Sequence, residues 1–206
     1  MVIGSFIRGG AIGFAIAAPV GPIGILVIRR SLAEGLLAGL VTGLGAAVAD
    51  AFYGSVGAFG ITFISGLLVE HVVWTRLLGG AFLCYLGIGT WLKPHADDVA
   101  AVSGARHARA FFTTVLLTLA NPLTILSFMA VFAGLGLGTE GGGYRAAGPV
   151  VVGVFAGSAA WWLLLSGGVT LIRRRLDLRA TRWISRVSGA CLLLFGIASL
   201  LAALRA

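Results

Sequence analysis

Six apolar stretches of about twenty residues divide this chain, and no other feature restricts its fold as much. They run about Gly9 to Ile28, Gly35 to Gly60, Val72 to Leu92, Ala110 to Leu137, Ala146 to Ile172 and Trp183 to Leu204. Each is near the roughly 17–25 residues that a tilted helix needs to cross a bilayer. Barrel strands would be about 10 residues long with strict alternation, and nothing here alternates that way. The expectation is therefore an all-α integral membrane protein, a six-helix bundle in contact with the lipid bilayer. Composition agrees: 59% of the 206 residues are hydrophobic and 11% are charged, whereas a soluble domain is about 45–50% apolar and about 25% charged.

A net charge of +8 does not imply nucleic acid here. The arginines fall in short clusters between apolar runs (Arg29-Arg30, Arg106/Arg109 and Arg173 to Arg186), as cytoplasmic anchors near anionic head groups do. With the amino terminus outside, eleven of the fifteen Lys and Arg residues lie on the cytoplasmic side, so the positive-inside rule puts both termini outside. The first stretch lacks a basic leading region and is long enough to span, so no cleavable signal peptide is expected. Cys84 and Cys191 lie inside apolar stretches, which excludes a secreted disulfide framework.

The longest polar stretch, Lys93 to Arg109, separates residues 1–92 from 110–206 as a cytoplasmic linker. The two parts look related. Gly80-Ala81, Leu83 and Gly87-Ile88 recur as Gly189-Ala190, Leu192 and Gly196-Ile197 at an offset of 109. Val41, Gly43, Ala46 and Ala49 match Val151, Gly153, Ala156 and Ala159 at an offset of 110. Three spans per half force the second copy to run upside down, so the pattern predicts two inverted three-helix repeats in one transmembrane domain.

Pro19, Gly21 and Pro22 interrupt the first span about ten residues in, and Asn121-Pro122 interrupts the fourth at a similar depth. Lipid cannot satisfy the backbone groups that proline frees. Paired interruptions in corresponding spans point to a midplane binding site, although a packing kink also accounts for a single proline. Asp50 is the one carboxylate well inside a span. It is read as a proton or substrate-ammonium site, against the plainer reading of an acid bonded to freed backbone. Tyr53, just under one turn further on, is a candidate for the same cavity. Gly35, Gly39, Gly43 and Ala47 make a small-residue stripe for close helix packing, which also permits a homodimer. Trp74, Trp91 and Trp183 sit near span ends as interface anchors. Trp161 and Trp162 lie mid-span, where cavity wall, lipid face and packed interior all remain open. His71, His95 and His107 are not spaced as metal ligands, so neither metal nor other cofactor is expected.

Pro19-Val20-Gly21-Pro22, Ile28-Arg29-Arg30-Ser31-Leu32, Gly35, Gly39, Gly43 to Ala47 and Ala49-Asp50-Ala51-Phe52-Tyr53-Gly54 resemble the LysE/RhtB amino-acid exporter family. Leu117 to Phe128, with Asn121-Pro122 inside it, is similar to that family's fourth-span motif. The extra residue between Pro19 and Pro22 departs from the Pro-Gly-Pro of many relatives. The resemblance implies export of amino acids or similar small amines across the bacterial inner membrane, coupled to a proton or sodium gradient. It also implies that Pro19, Gly21, Pro22, Asp50, Asn121 and Pro122 share the transport site. Two other classes compete. A membrane thiol-disulfide carrier needs paired cysteines beside the prolines, and a non-transporting membrane subunit would keep Asp50 as a structural acid. A hydrolase lacks a serine with a nearby histidine in any span.

Overall fold

The computed structural model describes residues 2–59, 72–92, 104–121, 124–125, 127–128, 131, 143–173 and 178–204. Among these residues the fold is all helical. Seven helices follow in order: α1 (Val2–Ala17), α2 (Pro22–Glu34), α3 (Leu36–Ala58), α4 (Val72–Leu92), α5 (Gly104–Leu119), α6 (Gly143–Arg173) and α7 (Leu178–Leu204). Helix α3 and long apolar segments of α6 and α7 can each cross a membrane by length and composition, and α1 with α2 makes a fourth span if the bent pair counts as one. Residues 93–103 of the predicted linker, and His71 and His95, lie outside the described residues; Gly104 to Arg109, read as linker, form the first turns of α5.

Both interruptions expected from the sequence affect the backbone, although Pro122 itself lies outside the described residues. Residues 18–21 are not helical, and the Gly21 N–H folds back on the Pro19 carbonyl at 2.9 Å. Pro22 then opens α2 at its first turn, where a missing N–H costs nothing and a fixed φ suits the helix. The two helices meet at 81°. At the second interruption, the Asn121 N–H bonds to the Thr118 carbonyl at 3.1 Å, a tightened final turn. The Ile125 N–H then takes the Asn121 carbonyl at 3.2 Å, so helical pairing resumes beyond the break. Between α2 and α3 the chain turns at Gly35, whose φ of 98° is costly for any residue with a side chain.

Helix α1 packs along α6, α4 along α7, and α3 between α5 and α6, while α2 touches α3, α6 and α7. Lipid is as apolar as leucine, so these contacts depend on close fit rather than on escape from water. Glycine supplies the fit. A methyl at Gly9 or Gly13 would overlap the Val150 or Val154 backbone, and one at Gly153 or Gly157 would overlap the backbone at Phe6 and Gly10. Where α4 crosses α7, a methyl at Gly80 would come within 2.9 Å of the Gly196 carbonyl oxygen, and one at Gly87 within 2.9 Å of that of Gly189. Large apolar side chains point outward instead, among them Leu78, Leu116, Leu164 and Leu194, with the expected anchors Trp74, Trp91 and Trp183 also exposed. This is the surface of a protein that faces lipid.

Candidate functional site

Polar groups gather where α3 meets α6. Helix α3 is a run of small residues, so it approaches α6 closely: Gly43 lies against the Trp162 ring and Gly54 against Val154. Asp50 is thereby enclosed, only 3% exposed. The Ser158 hydroxyl donates to Asp50 Oδ2 at 2.6 Å, and the Trp162 indole N–H donates to Ser158 Oγ at 3.0 Å. An indole N–H can only donate, so it occupies the serine's acceptor side and turns the hydroxyl hydrogen toward the carboxylate. Oδ2 is held as an acceptor.

Asp50 lines a cavity of about 150 Å³ bounded by both backbone breaks. Pro19, Gly21, Pro22, Ile23 and Gly24 form one wall, and Thr118, Asn121, Thr124 and Ser127 another. Ile16, Ala17, Ala46 and Trp162 close the rest. The volume is well above what one water needs. Of the residues singled out from sequence, the structure brings Pro19, Gly21, Pro22, Asp50 and Asn121 together here. Pro122 lies outside the described residues. Tyr53 does not line the cavity. It is buried beside it, its ring on Phe128 at a centroid distance of 5.7 Å, and its hydroxyl donates to the Leu119 carbonyl. That carbonyl lies in the last turn of α5, next to the break, so Tyr53 satisfies backbone that the interruption leaves short of donors.

Sequence reasoning did not single out Thr118, Ser158, Thr124 or Ser127. Thr118 could have been found from its place one turn before Asn121, on the same helix face. Ser158 is 108 residues from Asp50, and no local pattern joins them. Trp162, left open by the sequence, is part of the cavity wall; Trp161 packs edge-on against Phe14 at 5.4 Å.

A second, more apolar hollow of about 270 Å³ lies on the other side of the breaks, between α4, α5 and α7. Pro22 and Asn121 line both hollows. Arg76 borders the second one, donating to the Ala202 carbonyl at 3.2 Å. At the far end of α2, Arg30 donates to Thr42 Oγ1 at 2.9 Å and to the Ala110 carbonyl at 3.2 Å, which ties α2 to α3 and α5. Both cysteines are free, and neither lines the cavity that holds Asp50. No cluster of His, Cys, Asp or Glu among the described residues could hold a metal ion.

Apolar helices packed through glycine, with a carboxylate in a cavity at broken backbone, define the architecture of a multi-pass membrane translocator. The chain belongs to the LysE type translocator family, whose model it matches over residues 14–203. It is 32% identical to the uncharacterised membrane protein YahN of Escherichia coli K12, over 84% of this chain and 78% of that protein. It is 27% identical to the putative amino acid efflux protein YcgF of Bacillus subtilis 168, over 90% of each. It is 30% identical to the threonine efflux protein of Escherichia coli K12, over 64% of this chain and 68% of that protein. No solved structure matches the chain. Members of this family are transporters, not enzymes.

Proposed function

We propose that this protein exports amino acids or related small amines from the cytoplasm by antiport, with Asp50 as the exchanging group. The observation that carries this reading is the cavity in which Asp50 faces both backbone breaks. Ser158 engages Oδ2, so the remaining oxygen can take either a proton or a substrate ammonium. Occupation by one displaces the other, which is the simplest chemistry for exchange of an outgoing amine for an incoming proton. The efflux proteins among its relatives support the same direction of transport. Sodium could replace the proton as coupling ion at the same oxygen.

The architecture that accompanies this reading is a single domain of two inverted repeats, 1–92 and 110–206, joined by 93–109, in the bacterial inner membrane with both termini outside. The α4–α7 crossing supports it. Under the offset of 109, Gly80 and Gly196 become Gly189 and Gly87, so each of the two glycine contacts is the image of the other. Such an exchange is what a two-fold axis through the crossing produces.

The test uses purified protein in liposomes loaded with a panel of radiolabelled amino acids, under an imposed pH or sodium gradient. Export should accelerate when the opposite compartment is acid, and should stop in Asp50→Asn. Wild-type rates in that variant, or rates indifferent to both gradients, would refute the exchange.

A further inference from the structure

Three of the buried or half-buried threonines in the helices bond back onto their own helix. Thr42, Thr114 and Thr170 each donate to the carbonyl four residues earlier, at 2.7, 2.8 and 2.7 Å. Thr118 does not. It is 2% exposed, it lines the Asp50 cavity, and its Oγ1 has no hydrogen-bond partner. A buried hydroxyl without a partner is costly, and a cavity-facing one calls for a ligand or water.

The amino end of α2 lines the same cavity through Gly21, Pro22, Ile23 and Gly24. No side chain caps it. Pro22 has no N–H, and the N–H groups of Ile23 and Gly24 find no acceptor among the described residues, whereas the Ile25 N–H reaches the Gly21 carbonyl at 3.0 Å. Among the described residues, nothing meets a methyl built on Gly21 within 4 Å, so space lies beside the residue that precedes α2. Uncapped N–H groups at the positive end of a 13-residue helix attract an anion. Asp50 attracts a cation. Among the described residues it is the one carboxylate lining the cavity, and none of the described lining residues is a Lys or Arg.

The geometry points to a zwitterion clamp: the α-carboxylate of an amino acid rests on the Ile23 and Gly24 amides and the Thr118 hydroxyl, while its α-ammonium rests on Asp50. This rests on the exporter reading and narrows its substrate. With one anion and one anion-binding end, the cavity matches a monoamino monocarboxylic acid, and its described lining residues offer no partner for a second charge. Ile16, Ala17 and Ala46 offer a small uncharged side chain an apolar wall. A diamino acid brings a second ammonium for which the described lining residues hold no further carboxylate, and a simple amine lacks the carboxylate.

The test uses the full chain in liposomes, with L-threonine as the labelled probe and 1-amino-2-propanol, the same molecule without its carboxylate, as competitor. The clamp predicts that 1-amino-2-propanol competes at least about tenfold more weakly than unlabelled threonine. Thr118→Val should raise the half-saturating threonine concentration about tenfold while leaving the weak inhibition by the amine unchanged, and Thr118→Ser should restore it. Equal competition by the amine, or threonine saturation unaltered in Thr118→Val, would overturn the clamp and leave the exporter reading standing. Wild-type liposomes that export no amino acid from the panel would overturn the exporter reading and the clamp with it.

Discussion

The α3–α6 and α4–α7 crossings are both built from small residues, yet they differ in what they enclose. At the second, a methyl on Gly80 or Gly87 would come within 2.9 Å of the facing glycine's carbonyl oxygen, and the Cys84 thiol lies against Gly196, so the two backbones pack closely. At the first, glycine is used to bring an acid, a hydroxyl and an indole together beside a cavity. Close approach of backbones therefore serves two ends. One crossing packs two helices together, and the other makes room for a charge that lipid would not accept.

Substitutions can break that contrast. The largest effect is expected at Asp50: Asn retains an acceptor for Ser158 but cannot bind a proton or an ammonium as a carboxylate does. Transport should fall to background while the variant melts in detergent as the wild type or higher, since an enclosed charge has been removed. Gly196→Leu should do the reverse. Its side chain would strike Cys84 and the Gly80 carbonyl, so stability should fall by about 1–3 kcal/mol or more, read as a lower melting temperature and poor recovery from membranes. Transport per folded molecule should suffer less than in Asp50→Asn. Ser158→Ala should lower the exchange rate about tenfold, by freeing Oδ2 and the Trp162 N–H together, and Ser158→Thr should recover part of it. Tyr53→Phe leaves the Leu119 carbonyl unpaired and should cost about 1 kcal/mol in denaturation, with a small change in rate. The double change Cys84→Ser and Cys191→Ser should leave transport intact. Loss of activity there, with folding preserved, would favour the thiol-disulfide class over the exporter.

Much of this was legible because membrane solvent makes a few residues conspicuous. Prolines in apolar runs and a lone acid are expensive in lipid, so Pro19, Pro22, Asn121 and Asp50 stood out, and one cavity does bring them together. What stayed hidden was of two kinds. Ser158 and Thr118 are ordinary small polar residues that helices tolerate anywhere; only tertiary proximity or a missing back-bond distinguishes them. The spacing of Tyr53 to Asp50 makes it a candidate for the cavity wall. Three residues on a helix turn the side chain by about 60° from full register, enough to aim it at the end of α5 instead. The sequence reads the first apolar stretch as one interrupted span, whereas the backbone turns by 81° there and α2 begins afresh. Residue pattern locates a break but does not fix the angle across it.

Pro22 and Asn121 each show a face to both hollows. The partition between the Asp50 chamber and its apolar neighbour is thus made from the very segments whose ladder bonds are interrupted. Thermal opening is cheapest where fewest such bonds must be broken. A path between the two hollows would open first through these segments, before any helix had to unfold.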